Sequence, residues 1–292
     1  MTTARSATAL EFTGERFTPE CVREIWYEHW ARYAFAAGLA RDKRVLDAAC
    51  GEGFGSALLA RAAREVTGLD VSAQAVAHAQ ARYGGIANLR YVQGDCTQLD
   101  LADKSFDLVV SIETLEHVAA QEAMVAGFAR VLADDGVFIV SSPDKHTYSD
   151  VTGFRNEYHV RELYRDELLA LLAAHFPEVR LYGQKLLFQS AIWALDDAGA
   201  PVGVAASTAE SAADGSTLLK SGLVYDPLYF IAVCSRRPLA DLPQLALFGD
   251  RAESVYAHYN HEVRKNIAAG GRIAELEAQV EKLHAEIARL RG

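Results

Sequence analysis

Val45 to Gly55 reads VLDAACGEGFG: a short apolar run closed by an acid, then glycine at positions 51, 53 and 55. The run Arg44 to Ala49 has the length and composition of a buried strand. The glycines that follow permit backbone turns that side chains resist, and a helix from Ser56 to Ala63 completes a strand–turn–helix unit. Such a turn lets main-chain amides approach a ligand, and the next helix offers its first amides. Outward from this point the alternation continues. Glu65 to Asp70, Leu89 to Gln93, Phe106 to Ile112 and Val137 to Ser141 read as strands. Ala73 to Tyr83 and a segment reaching Leu132 read as helices between them. Strands alternating with helices imply an α/β fold: a parallel, Rossmann-like sheet covered on both faces.

The chain has 292 residues, half of them hydrophobic, which suffices for a packed core over most of its length. Twenty-nine basic against 39 acidic residues give a net charge of −10. No run of Lys or Arg interrupts that balance, so a nucleic-acid partner is not expected. Cys21, Cys50, Cys96 and Cys234 are widely spaced, which argues for reduced thiols over a metal ribbon. Neither a secretory leader nor a membrane-spanning stretch is legible, so the expected location is cytoplasmic, peripheral at the inner membrane only through partners.

Five segments, in order, resemble the motifs of the class I S-adenosylmethionine-dependent methyltransferases. They are VLDAACGEGFG, the Asp70 that ends the second strand, Gly94-Asp95-Cys96, FDLVVSIETLEHV (106–118) and VLADDGVFIVSSP (131–143). The resemblance covers about residues 43–236. It implies a seven-stranded sheet with an antiparallel last strand, the runs near Val179 and Tyr229 supplying the final two strands. It also implies a cofactor contact set of Asp47, Ala49, Gly51, Gly53, Asp70, Val71, Asp95, Cys96 and Ile112. In that set Asp70 holds the ribose hydroxyls and Asp95 meets the adenine amine.

Transfer of an activated methyl needs an aligned nucleophile, a dry site and, for a hydroxyl, a proton acceptor. Glu113, Glu116 and His117 form E-x-x-E-H, a spacing that shares one face if the turn is α-helical. His159 stands before the next helix. The four resemble the metal-chelating set of plant small-RNA 2′-O-methyltransferases and ubiquinone-pathway O-methyltransferases. Two chemistries stay open: Mg²⁺ or Mn²⁺ held by Glu113, Glu116, His117 and His159, or metal-free catalysis by His117 or His159. A structural role is the third reading. His146 and Tyr148 are weaker candidates for acceptor contact, and Arg16 for an anion.

GERFTPE (14–20), EHWARYAFA (28–36) and NEYHVREL (156–163) resemble a bacterial subgroup associated with lipopolysaccharide and O-antigen assembly. That implies a sugar hydroxyl of a saccharide or lipid-linked polysaccharide as acceptor, capping of the chain, and a glycosyltransferase as partner. The competing expectations are a small-molecule O- or N-methyltransferase and a non-catalytic scaffold. The expected domains are an N-terminal extension and helical lid at 1–42, the catalytic domain at 43–240 with a mobile, loop-like insertion at about 196–222, a linker or helical segment at 241–271 jointed at Gly270-Gly271, and a coiled coil at 272–292. The coil rests on Ile273, Leu276, Val280, Leu283, Ile287 and Leu290, spaced as a heptad seam, and implies a homo-oligomer.

Overall fold

Strands β1 (Arg44–Ala48), β2 (Glu65–Asp70), β3 (Leu89–Gln93), β4 (Phe106–Ser111), β5 (Leu132–Pro143), β6 (Glu178–Gln184) and β9 (Tyr229–Ser235) form one seven-stranded sheet. The computed structural model describes residues 18, 24–192, 205–211, 213, 216–239 and 242–291. Sheet order is β3-β2-β1-β4-β5-β9-β6. The pairings from β3 through β5 are parallel, and β9 runs antiparallel to both β5 and β6. This is the expected seven-stranded α/β sheet with its antiparallel last strand. The chain moves outward from β1 to β3, then returns to β4 on the other side of β1. That reversal opens a crevice beyond the carboxyl ends of β1 and β4.

Both faces of the sheet are covered because its strands are apolar on both sides. One core cluster packs helices α4 (Gln121–Val131) and α5 (Arg165–Ala173) against Leu46, Val109 and Phe138. The other packs α1 (Glu24–Leu39), α2 (Phe54–Leu59) and α3 (Ala73–Tyr83) against Val45, Leu108 and Ile139. Ser72 caps α3 by accepting the Ala75 N–H at 3.2 Å.

Helix α1 forms as expected and packs onto the domain: Arg32 and Tyr33 are buried, with Tyr33 edge-on and Trp30 tilted against Phe54. Other expectations need correction. The segment read as a loop-like insertion contains an antiparallel hairpin, β7 (Ser207–Ser211) paired with β8 (Thr217–Ser221). Its strands expose most of their residues, so no buried alternation marks them in the sequence. Residues 193–204, and Gly14 to Phe17 with Arg16, lie outside the described residues.

The chain divides into two compact units, 1–248 and 249–292. The second holds α6 (Ser254–Arg291), one continuous helix that runs through Gly270 and Gly271. The expected joint is therefore absent. Two glycines cost helix stability without breaking it when the flanking turns are strong formers. Among the described residues no helix is long and apolar enough to cross a membrane.

Candidate active site

The glycine turn after β1 is built from alternating left-handed residues. Ala49, Gly51 and Gly53 have φ of +60°, +55° and +94°. The series thus starts at Ala49, and Gly55, read from sequence as its third member, lies in the first turn of α2. A Cβ at Gly53 would stand 2.7 Å from the Ala79 Cβ, so this position also needs its missing side chain. The turn is tied down by its own acid. Glu52 is buried and receives Arg82 Nη1 at 2.8 Å, with His78 Nε2 at 3.1 Å and the Tyr83 hydroxyl at 3.0 Å. Sequence reading missed this tether. Its signal was an acid inside a glycine turn, whose partners become visible only once α3 is folded.

Asp70, at the end of β2, accepts the Gly51 N–H on Oδ2 at 2.8 Å and the Ser72 N–H on Oδ1 at 2.9 Å. An ionised carboxylate has about four lone-pair sites, so each oxygen keeps one for a ribose hydroxyl. Val71 beside it is 67% exposed, an apolar face open to a flat ring. Asp95 begins a tight turn, its Oδ1 accepting the Thr97 N–H and hydroxyl at 2.7 and 2.8 Å. Cys96 is buried next to the Ala49 backbone, and burial pushes its thiol up to about 12, with Asp70 and Asp95 pushing the same way. Ile112 closes the end of β4 and is also buried. The residues expected to hold the cofactor stand at the carboxyl ends of β1, β2, β3 and β4. Asp47 is the exception in kind: fully buried, it accepts the hydroxyls of Tyr33 at 3.0 Å and Ser56 at 2.6 Å. Burial raises its carboxyl to about 6 despite those two donors, so it braces the turn from below.

Beyond β4 the chain makes a single 3₁₀ turn, Leu115–His117, preceded by Glu113 at φ +48°. The E-x-x-E-H residues therefore do not share an α-helical face. Glu113 turns aside: Ser141 Oγ accepts its N–H at 3.0 Å and donates to its Oε1 at 2.6 Å, and Oε2 lies 3.7 Å from Arg32 Nη2. Glu116, His117 and His159 come together, with one donor atom of each within 4.8 Å of the others. His159 is brought in by the backbone, because the Glu116 carbonyl accepts the N–H groups of Val160 and Arg161 at 2.8 and 3.0 Å. Gln121 fixes the same junction by donating to the carbonyls of Leu115 and Arg161. Of the four expected metal ligands, Glu113 alone stands outside the cluster.

The protonation pattern follows from these partners. A carbonyl can only accept, so His117 Nδ1 donates to the Tyr158 carbonyl at 3.1 Å. In the neutral ring, Nε2 then carries the lone pair, 3.8 Å from Glu116 Oε1. His159 Nδ1 donates to Glu162 Oε1 at 2.5 Å, and its Nε2 faces the Asn156 amide at 3.0 Å. Imidazoles oriented through one nitrogen by a carbonyl or carboxylate are the arrangement that metal-binding histidines use. Glu116 is 1% exposed, and its Oε2 has no hydrogen-bond partner among the described residues. Burial, and then the charge of Glu113, hold its carboxyl well above the usual range. A buried carboxylate oxygen so placed calls for a proton or a cation. Tyr148 stacks on His159, whereas His146, two residues earlier, has its backbone N–H on Asp144 Oδ1.

Residues 46–140 match the family described as "Methyltransferase domain". A probable S-adenosylmethionine-dependent methyltransferase of Mycobacterium tuberculosis is 37% identical over 182 residues, 61% of this chain and 65% of the relative. A similarly described protein of Mycolicibacterium smegmatis is 40% identical over 167 residues, 56% of this chain and 64% of the relative. The chain spans just under two thirds of the length of both. Among solved structures, the YcgJ protein of Bacillus subtilis superposes with a TM-score of 0.50 at 18% identity, over 72% of this chain and all of that one, a likeness of fold. The turn, the acid after β2 and the matched segment agree: residues 46–140 form a methyltransferase domain, similar to those of S-adenosylmethionine-dependent enzymes.

Proposed function

We propose that this chain transfers a methyl group from S-adenosylmethionine to a saccharide hydroxyl, of the kind carried by a bacterial surface polysaccharide. The observation that carries the reading is the Glu116–His117–His159 cluster, placed beside the cofactor crevice and bordered by rings. Phe154, Tyr158 and Tyr164 are 54%, 40% and 40% exposed on the segment that delivers His159. Sugars pack their C–H faces on such rings while their hydroxyls take hydrogen bonds.

Asp70 and the 49–53 turn hold the cofactor, whose sulfonium supplies an already activated methyl. The protein's task is to align the acceptor oxygen and remove its proton. His117 Nε2 has the lone pair for that step, and Nδ1 is held by the Tyr158 carbonyl, which stabilises the imidazolium formed. Glu116 Oε1 stands 3.8 Å from Nε2. The donor set equally fits a divalent cation, through Glu116, His117 and His159 once Asn156 yields Nε2. Such an ion would lower the pKa of a bound hydroxyl. Methylation of a terminal hydroxyl removes the nucleophile for further glycosyl transfer, so this activity would cap a growing chain.

A second reading, an apolar small-molecule acceptor, has one feature in its favour. A groove of about 540 Å³ is lined by Phe35, Leu181, Leu186, Leu245 and Leu247, with Glu28 and Gln184 in its wall.

The test is transfer of labelled methyl to saccharides, catechols and amines, with and without chelator. It is paired with calorimetric binding of S-adenosylmethionine and of Mn²⁺ to the parent and to Glu116→Ala. We expect label on saccharide oxygen, lost at least 100-fold in Glu116→Ala while cofactor affinity changes by less than threefold. Label confined to catechols or amines, or cofactor binding without turnover, overturns the reading. Mn²⁺ binding lost in Glu116→Ala selects the metal-assisted form.

A further inference from the structure

Taken by itself, helix α6 buries none of its residues. Ile273, Leu276, Val280, Leu283, Ile287 and Leu290 lie on one stripe and are all exposed, from 44% at Leu276 to 75% at Leu290. Six large apolar side chains on one helix face form a surface that water does not favour. We propose that this stripe is the seam of a parallel, in-register, two-stranded coiled coil whose partner is a second copy of this chain.

The residue types choose the number of strands. Numbering the seam as a heptad puts Ile273, Val280 and Ile287 at a, and Leu276, Leu283 and Leu290 at d. Side chains branched at Cβ fit the a layers of a parallel dimer, and leucine fits its d layers. Isoleucine at both, or the reverse assignment, turns the preference to three or four strands. One heptad back, the same register puts Asn266 at a. In a parallel pair Asn266 meets its own copy, amide to amide, which fixes register. In an antiparallel pair the two copies of Asn266 lie at opposite ends, and neither amide meets the other.

The flanking charges choose the orientation. Arg272, Gln279 and Glu286 occupy g, and Glu277, His284 and Arg291 occupy e. In a parallel dimer each g residue faces the next e residue of the second copy. Arg272 then faces Glu277, Glu286 faces Arg291 and Gln279 faces His284, so both arginines meet carboxylates. Antiparallel pairing in the register that places Ile273 against Leu290 sets Gln279 against Glu286 and Glu277 against His284, and leaves both arginines without one. Within one chain Arg272 reaches Glu275 at 2.8 Å and Arg289 reaches Glu286 at 3.7 Å. Exposed pairs three residues apart are weak and do not prevent sharing across the seam. Gly270 and Gly271 fall at e and f, off the apolar layers.

The seam is short, so pairing is concentration-dependent. Light scattering on the full chain from 1 to 200 µM should therefore show monomer passing to dimer. Ile273→Cys and Leu290→Cys, each alone and as a mixture, are then oxidised with copper phenanthroline, with the parent as control. Cys50, Cys96 and Cys234 are buried, and Cys21 is changed to Ser in every protein compared. Each single variant should form a disulfide-linked dimer, and mixing should add no crosslinks between the two. Crosslinks only in the mixture mean antiparallel strands, since Ile273 then lies about 25 Å from its own copy, and overturn the proposal. So does a parent that stays monomeric throughout, or one with a trimer mass. Independently of the core, Arg272→Glu with Arg291→Glu should weaken dimerisation at least tenfold, and adding Glu277→Arg with Glu286→Arg should restore it. Dimerisation indifferent to these charges also overturns it.

Discussion

Gly51 donates its backbone N–H to Asp70 Oδ2 at 2.8 Å, so the turn after β1 and the acid after β2 are assembled as one unit. The bond orients the carboxylate and leaves it lone pairs toward the crevice. Asp70→Asn keeps the shape but gives up half the acceptor capacity and the charge. A hydrogen bond to a charged group is worth about 1.5–3 kcal/mol, so affinity for S-adenosylmethionine should fall about 10- to 100-fold. Calorimetry on the parent and Asp70→Asn measures this. An unchanged affinity would mean that Asp70 serves only the turn.

The sheet was legible because its strands are apolar runs separated by glycine and aspartate punctuation, and each strand from β1 to β4 stands within a residue or two of its expected place. The site was legible in its residue types and less so in its geometry. Glu113, Glu116 and His117 carry the right chemistry. Nothing in their spacing, however, tells an α-turn from a 3₁₀ turn entered at positive φ, and that difference sends Glu113 to Ser141 and Arg32. Arg32 itself went unassigned as a partner because its neighbours, Glu113, Gln184 and Tyr229, come from three distant strands or turns. Ala49 hid the start of the left-handed series, since a glycine pattern cannot report a position that alanine fills under strain.

Gly55 belongs to packing rather than to the turn. A Cβ there would stand 2.1 Å from the Tyr33 ring, whose hydroxyl is bonded to the buried Asp47. Gly55→Ala must displace Tyr33 or α2, an overpacking that typically costs about 1–3 kcal/mol. In the Tyr33→Ala background the clash is gone and Gly55→Ala should cost less than about 0.5 kcal/mol, the coupling expected of residues in contact. Denaturant unfolding of the four proteins in this cycle measures it. Additive losses would show that the strain lies in α2 and not against the ring.

Glu28 gives the fold a pH dependence opposite to that of most carboxylates. It is 7% exposed on α1, and burial outweighs the nearby Arg32 to raise its carboxyl from 4.5 to about 7, with Glu113 adding to the rise. Between those values the folded chain holds a proton that the unfolded chain has released. The unfolded state then binds fewer protons, so this group's contribution to stability falls as pH rises from about 4.5 to 7 and is flat above. The full span is on the order of 3 kcal/mol, and Asp47, raised from 3.8 to about 6, acts in the same direction. Glu28→Gln keeps the shape and removes the titration. The variant and parent should melt together near pH 4.5, and the variant several degrees higher at pH 8. Scanning calorimetry at those two pH values decides it: a melting difference that is constant with pH, or that shrinks as pH rises, would mean that Arg32 keeps Glu28 ionised in the fold.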